Sequence, residues 1–415
     1  MTAASSGSVP NKTQLTLATY AHAFAFCSAA SVVVSIFVSH VTLGLATVLL
    51  LASRTRLRMP PVVLPLAGFM LLTVVSLFAS DDPAAGLPQF RKFYVFLTLL
   101  VIGSLFRGVD QSRRLAEAWF VLAAVAAAVA IVQFVVKWRA ARAAGIDFYD
   151  SYVDRRITGF FSHWLTFGEV AMIVLLLLAS YVLFSASARR GGKLVWTLCA
   201  LALGLSLALN WSRGVWLGLL AGGAYLLWHR SRALVLAIPA LVLVAVALAP
   251  GPASRRIASI ADPNANSARI IMWRTGWRMI QAHPFLGIGP MRVGKHFREY
   301  LPADIVGELP PAYYEHLHNV YIHYAAERGI PAMLMLVWLL LKVLWDHGRA
   351  LRHLPRGPSD ERFLLHGVVA ATLGVMVVSC FDLTLGDSEI LGIYLGTIAV
   401  GYKAVEAAGR RAAAG

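Results

Sequence analysis

Glu315-His316-Leu317-His318-Asn319-Val320-Tyr321-Ile322-His323-Tyr324 sets three histidines and a glutamate where a long polar stretch returns to an apolar one. An ionisable group at such a place is costly unless it faces a cavity, a partner or a reaction. Imidazole is also the side chain best suited to exchange a proton near neutral pH. His318 is the candidate base. Read as helix, His316 and His318 point about 160° apart, which is poor zinc spacing, so no metal is expected here. Asn319 either hydrogen-bonds a hydroxylated substrate or caps the following helix. His316 is a second substrate-facing candidate with a structural role as its alternative, and His323 reads as structural.

A second set of residues is cationic. Arg213 lies in Asn210-Trp211-Ser212-Arg213-Gly214-Val215-Trp216, between two apolar runs. Snorkelling at an interface is the plain reading. Against it, Gly214 admits a close approach, and Ser212 with the free amides of the next helix start suits an anion. Arg91-Lys92 opens another helix, with interfacial anchoring as the alternative. Asn266-Ser267 caps a predicted helix running to about Gln281. On its wheel Arg269 shares a side with Trp273, Gly276 and Ile280, while Arg274 and Arg278 face away. Arg269 therefore points toward protein or membrane and needs an anionic partner. Arg91, Lys92, Arg213 and Arg269 together form the cationic set that a diphosphate at a membrane surface requires, because arginine offers phosphate a bidentate fork.

Other acids are less specific. Asp147, Asp150 and Asp154 could bind a divalent cation, but Arg155 and Arg156 beside them favour solvated ion pairs. Asp382, Asp387 and Glu389 flank the last external turn, and Glu169 lies inside an apolar run; each could line a cavity. No Walker loop, GxGxxG, HExxH or GxSxG supports nucleotide binding or hydrolase chemistry.

Membrane helices must position these groups. The 415 residues are 58% hydrophobic and only 14% charged, with mean hydropathy +0.68, against roughly 25% charged in a soluble domain. The spacing predicts an all-α polytopic membrane protein with about twelve spans. They fall near 15–36, 38–53, 61–79, 91–106, 115–136, 165–186, 193–209, 212–229, 232–250, 319–345, 362–380 and 389–406. A net charge of +16 might suggest nucleic acid. Its cations instead gather in short alternate loops, at Arg54/Arg56/Arg58, Arg107/Arg113/Arg114, Arg189/Arg190/Lys193, Arg230/Arg232, Lys342/Arg349/Arg352/Arg356 and Lys403/Arg410/Arg411. By the positive-inside rule these loops and both termini are cytoplasmic.

The opposite face then carries two long connections, 137–164 and 251–318, and loops of such length are usually functional. The expected organisation is helices 1–9 over 1–250, a large and partly helical external loop over 251–318, and helices 10–12 with a tail over 319–415. The polar N-terminus lacks a cleavable-signal pattern, so the first run is expected to be retained. Cys27, Cys199 and Cys380 fall in apolar runs and read as buried hydrophobes.

At these residues the chain resembles the O-antigen ligase and polymerase superfamily, polytopic enzymes of bacterial surface-polysaccharide assembly. The resemblance is strongest over roughly 200–332. It rests on Ser212-Arg213-Gly214-Val215-Trp216, on Ser267-Ala268-Arg269 through Met272-Trp273 to His283-Pro284-Phe285-Leu286-Gly287-Ile288-Gly289, and on His318-Asn319 followed, after nine intervening residues, by Gly329. After Gly329 the ligase signature has two further residues and then Gly, Thr or Tyr, where Ala332 stands here. That departure bears on ligase against polymerase more than on the superfamily.

The resemblance implies a GT-C-like glycosyltransferase of the bacterial inner membrane, working on the periplasmic face by inverting, metal-independent transfer without a cofactor. The implied donor is a glycan on undecaprenyl diphosphate and the implied acceptor a sugar hydroxyl of lipid A–core, with membrane lipids around it and no nucleic acid. It assigns His318 to the acceptor, and Arg213 and Arg269 to the donor. The chemistry fits, because arginines can stabilise charge developing on a diphosphate leaving group. A polymerase or protein O-oligosaccharyltransferase would share that chemistry. A lipid-linked oligosaccharide flippase would more often show repeated halves with interrupted helices, and the sequence shows no repeat.

Overall fold

Apolar runs too long for buried strands, with few glycine or proline breaks, fold as helices, and among the described residues every regular element is helical. The computed structural model describes residues 12–190, 192–236, 239, 251–260, 262, 266–305, 307 and 309–414. Six described segments are long and apolar enough to cross a bilayer: Pro83–Leu105, Val109–Ala143, Trp164–Phe184, Ile330–Arg352, Asp360–Val378 and Ser388–Ala413. Ile36–Ala52, Val63–Ala79 and Leu194–Asn210 are shorter apolar helices. Lys12–Ser31 and Arg213–Arg230 complete the long helices. Large apolar side chains such as Phe37, Leu64, Phe78, Leu194 and Trp345 turn outward, as lipid-facing residues do. The chain is a multi-pass membrane protein. The span predicted over 232–250 falls mostly outside the described residues.

Glycine spacing brings the inner helices together. Gly214, Gly218 and Gly222 recur every fourth residue and so share one face. A Cβ on Gly218 would lie 2.8 Å from the Gly374 carbonyl, and one on Gly222 would lie 2.6 Å from the Ala370 carbonyl. The Arg213–Arg230 backbone thus runs directly against Asp360–Val378. That contact brings Arg213, on the first turn of one helix, close to the turn that follows the other.

The run expected as a single span over 319–345 is instead two helices, Val320–Arg328 and Ile330–Arg352, broken at Gly329. Gly329 has φ +86°, and a Cβ there would lie 2.0 Å from the Phe285 carbonyl. The crossing segment binds both sides of the break. Ile330 N–H donates to Pro284 O at 2.8 Å, while Ile288 and Gly289 N–H donate to Ala326 O and Glu327 O, each at 2.9 Å. A residue without a side chain is needed where one backbone passes over another. This explains why Pro284 through Gly289 and Gly329 belong to one motif.

The loop that follows is anchored by charge. Arg292 is buried and takes Asp81 side-on, Nε to Oδ1 at 2.7 Å and Nη2 to Oδ2 at 2.6 Å, a geometry that fixes orientation as well as distance. The Arg292 guanidinium holds the Asp81 carboxyl far below its usual range.

Candidate active site

The His318 loop is fixed to the turn after Asp360–Val378 mainly through the backbone. Val320 N–H donates to Ser379 O at 2.8 Å. The Asn319 amide donates from Nδ2 to Cys380 O at 2.9 Å and accepts at Oδ1 from Ile322 N–H at 3.0 Å. Both ends of the Asn319 side chain are therefore engaged within the protein, and the capping alternative describes it. His318 itself takes φ +45°, a left-handed conformation that is uncommon without glycine. That backbone turns its ring toward Asp382, with Nδ1 and Oδ1 3.0 Å apart.

Asp382 is buried, and burial alone would push its carboxyl up. The hydrogen bond and charge of His318 and the Leu383 amide override burial and hold it below the usual range. An ionised Asp382 accepts the Nδ1 proton, which leaves the His318 Nε2 lone pair free. Histidine and aspartate thus form an oriented pair. His316 lies against His318, with ring centroids 4.2 Å apart and the planes tilted by 46°. Burial and then His318 push the His316 imidazole down to about 4, so it is neutral at physiological pH. His323 is buried, with Nε2 3.7 Å from Glu327, in the structural position expected of it.

The expectation about metal geometry needs correcting. His316 and His318 precede the helix rather than lie on it, so the helical angle does not apply. One ligand atom each from His316, His318 and Asp382 all lie within 4.8 Å of one another. Among the described residues this is the set that could hold an ion.

Arg269 reaches the same turn from the helix Ser267–Ala282, donating from Nε to Phe381 O at 3.1 Å. Trp273 Nε1 on the same face lies 3.4 Å from His318 O. The predicted wheel holds: Gly276 lies against Leu317 and Ile322, whereas Arg274 faces away and pairs with Asp304 at 2.7 Å. Burial pushes Arg269 down and the charge of Asp382 pushes it up, which supplies its anticipated anionic neighbour.

Arg213 is buried and donates to the main-chain carbonyl of Ser259 and to its hydroxyl. The nearest like charges are Arg256 and Arg269. Sequence reasoning missed two further arginines. Arg156 donates to Trp211 O at 3.3 Å and Ser212 Oγ at 3.2 Å, with its guanidinium 4.8 Å over the Trp164 ring. Arg256 donates from Nε to the same Trp211 carbonyl at 3.0 Å. Burial first, then Arg256, pushes Arg156 down to about 9, still cationic at neutral pH. Among the described residues, Arg156, Arg256 and Arg269 form no ion pair with a carboxylate. Half-buried guanidiniums hydrogen-bonded to carbonyls retain donors and net charge for an anion.

Trp211 organises this group. It joins Lys193–Asn210 to Arg213–Arg230 in a left-handed conformation, φ +56°, and its carbonyl serves both Arg156 and Arg256. Its ring is gripped by the short helix Phe148–Val153, with Tyr152 4.9 Å away edge-on and the Tyr152 hydroxyl donating to Leu209 O at 2.7 Å.

Arg91 and Lys92 do not join the arginine group. Lys92 Nζ donates to Gly386 O at 2.6 Å, and its charged neighbours are Glu327, Arg328 and Asp387. The four cations expected as one set are divided between two flanks of the turn over 379–387. Beneath that turn Glu169 is fully buried.

These features describe a multi-pass helical membrane protein with a His318–Asp382 pair and a set of arginines braced by main-chain carbonyls. Residues 198–337 match the family model described as O-antigen ligase, a match over about a third of the chain that supports membership of the O-antigen ligase superfamily. The matched segment contains Arg213, Arg256, Arg269, His318 and Gly329; Arg156 precedes it and Asp382 follows it. No curated protein matches the chain.

Proposed function

We propose that this protein transfers a glycan from undecaprenyl diphosphate to a sugar hydroxyl of lipid A–core, on the periplasmic side of the bacterial inner membrane. The observation that carries this reading is the His318–Asp382 pair on a turn that Arg269 also reaches, with Arg213, Arg156 and Arg256 as charged neighbours of Arg269. His318 Nε2 takes the proton of the acceptor hydroxyl as its oxygen attacks the anomeric carbon. The bond from that carbon to the diphosphate oxygen breaks on the opposite face, which inverts the centre. The lipid diphosphate leaves with the electron pair, and the arginines stabilise its growing charge. Asp382 keeps the proton on Nδ1, so that Nε2 is the basic nitrogen. No step requires a metal. The proposed topology has about twelve spans, both termini in the cytoplasm, and residues 251–318 on the side of the chemistry.

The test is transfer by purified protein supplied with undecaprenyl-diphosphate glycan and lipid A–core, with and without EDTA. Product that survives EDTA and disappears in His318→Ala is the expected result. Loss of product on chelation would overturn the metal-independent mechanism. Donor elongation without lipid A would make the enzyme a polymerase.

A further inference from the structure

At the end of the bundle away from His318, helices Arg213–Arg230, Ile330–Arg352 and Asp360–Val378 leave a cleft of 1390 Å³. Its wall is apolar and outward-facing: Trp338, Leu341 and Trp345 are 41%, 50% and 65% exposed. Their spacing places them on one face of the helix, and the same face continues to Arg349 and Arg352. Arg362 lines the cleft from the neighbouring helix.

The state of these cations separates them from ordinary loop charges. Lys342 in the same cleft is paired with Asp346 at 3.0 Å. Arg349 and Arg352, by contrast, make no hydrogen bond or ion pair among the described residues. Arg362 has only long contacts, 3.3 Å to His366 Nε2 and 3.5 Å to Pro355 O. Ile330–Arg352 has 23 residues and starts beside the candidate site. Such a helix rises roughly 34 Å, about a hydrocarbon thickness, so Arg349 and Arg352 reach the opposite headgroup layer. An apolar groove with a tryptophan at interface depth, ending in unpaired guanidiniums, matches a lipid phosphate with its acyl chain attached.

We propose that this cleft is a binding site for an anionic phospholipid, with its phosphate held by Arg349, Arg352 and Arg362 and an acyl chain along Trp338, Leu341 and Trp345. The site is independent of the glycosyl-transfer reading. Each arginine is worth roughly fivefold in affinity for an anionic over a zwitterionic lipid.

The test uses the full chain in nanodiscs and follows tryptophan quenching by phosphatidylglycerol or phosphatidylcholine carrying brominated acyl chains. Trp345→Phe assigns the signal. Stronger quenching by the anionic lipid is expected, with the excess lost in Arg349→Gln/Arg352→Gln/Arg362→Gln. Arg349→Gln and Arg352→Gln singly, both at exposed positions, should each weaken it if the triple variant fails to fold. Equal quenching by the two lipids, or an excess that survives all these changes, would overturn the proposal. An excess removed by inorganic phosphate, but not by chloride of equal ionic strength, would reassign the cleft to a soluble anion and overturn the lipid.

Discussion

Replacing Asp382 with Asn preserves shape while removing the charge that orients His318. The amide can donate from Nδ2 to Nδ1, which moves the ring proton to Nε2, the nitrogen that must accept the acceptor's proton. The hydrogen bond lost is to an ionised group, about 1.5–3 kcal/mol, or roughly 10- to 150-fold in rate. Complete loss of base function would reach the order of 10²–10⁴-fold. Asp382→Asn is therefore expected to lower the initial rate of transfer on the order of a hundredfold, with the protein at matched membrane level.

The decisive measurement is the double variant. If Asp382 works through His318, Asp382→Asn should cost almost nothing once His318 is Ala, because residues acting as a unit are strongly non-additive. Independent, multiplying losses would refute the pairing, as would an Asp382→Asn single variant within about threefold of wild type. The same pair has a stability signature. The folded carboxyl is held below its ordinary value of 3.8, so its contribution is present above that pH and is lost as pH falls toward the lower folded value. Thermal unfolding of the wild type should weaken through that acid range, and Asp382→Asn should show less of the effect.

Arg156→Gln or Arg256→Gln should reduce kcat/KM for the lipid-diphosphate donor by roughly 10- to 100-fold. The exposed neighbour Arg155→Gln should change it little, and equal effects at 155 and 156 would argue against an inward-facing donor site. Gly222→Leu would place side-chain atoms into the Ala370 carbonyl and Leu176. It should destabilise the bundle by at least about 1–3 kcal/mol in thermal unfolding in detergent. Gly223→Ala has open space around it and should be neutral or stabilising by up to about 1 kcal/mol. Zinc should inhibit transfer by capturing His316, His318 and Asp382, with EDTA restoring activity. His316→Ala should remain active and lose that sensitivity; unchanged inhibition would place the zinc elsewhere.

His318, Arg213 and Arg269 stand out as candidates in the sequence because each lies inside a local pattern: a histidine at a loop–helix junction, an arginine between two apolar runs, an arginine on the apolar side of a wheel. Asp382 was visible only as one of several unspecific acids, since 64 residues separate it from its partner. Arg156 was read as a solvated partner of nearby aspartates. The structure instead gives Asp147 to Arg255 at 2.9 Å and turns Arg156 inward, a choice set by a Trp211 carbonyl that no spacing in the sequence indicates. Arg256 carried no signal at all. The break at Gly329 did have one, in Gly329-Ile330-Pro331, where proline suits a first helical turn. A continuous apolar pattern obscured it. The helical angle between His316 and His318 misled because the helix begins only after Asn319.

The shared Trp211 carbonyl also limits how the two long connections of this chain can be exchanged. It accepts from Arg156 in the 137–164 connection and from Arg256 in the 251–318 connection, so neither loop is a self-contained module. A grafted loop that lacked the matching guanidinium would leave that carbonyl without one of its two donors. A chimera aimed at new donors should therefore carry both loops and the tryptophan junction as one inherited unit.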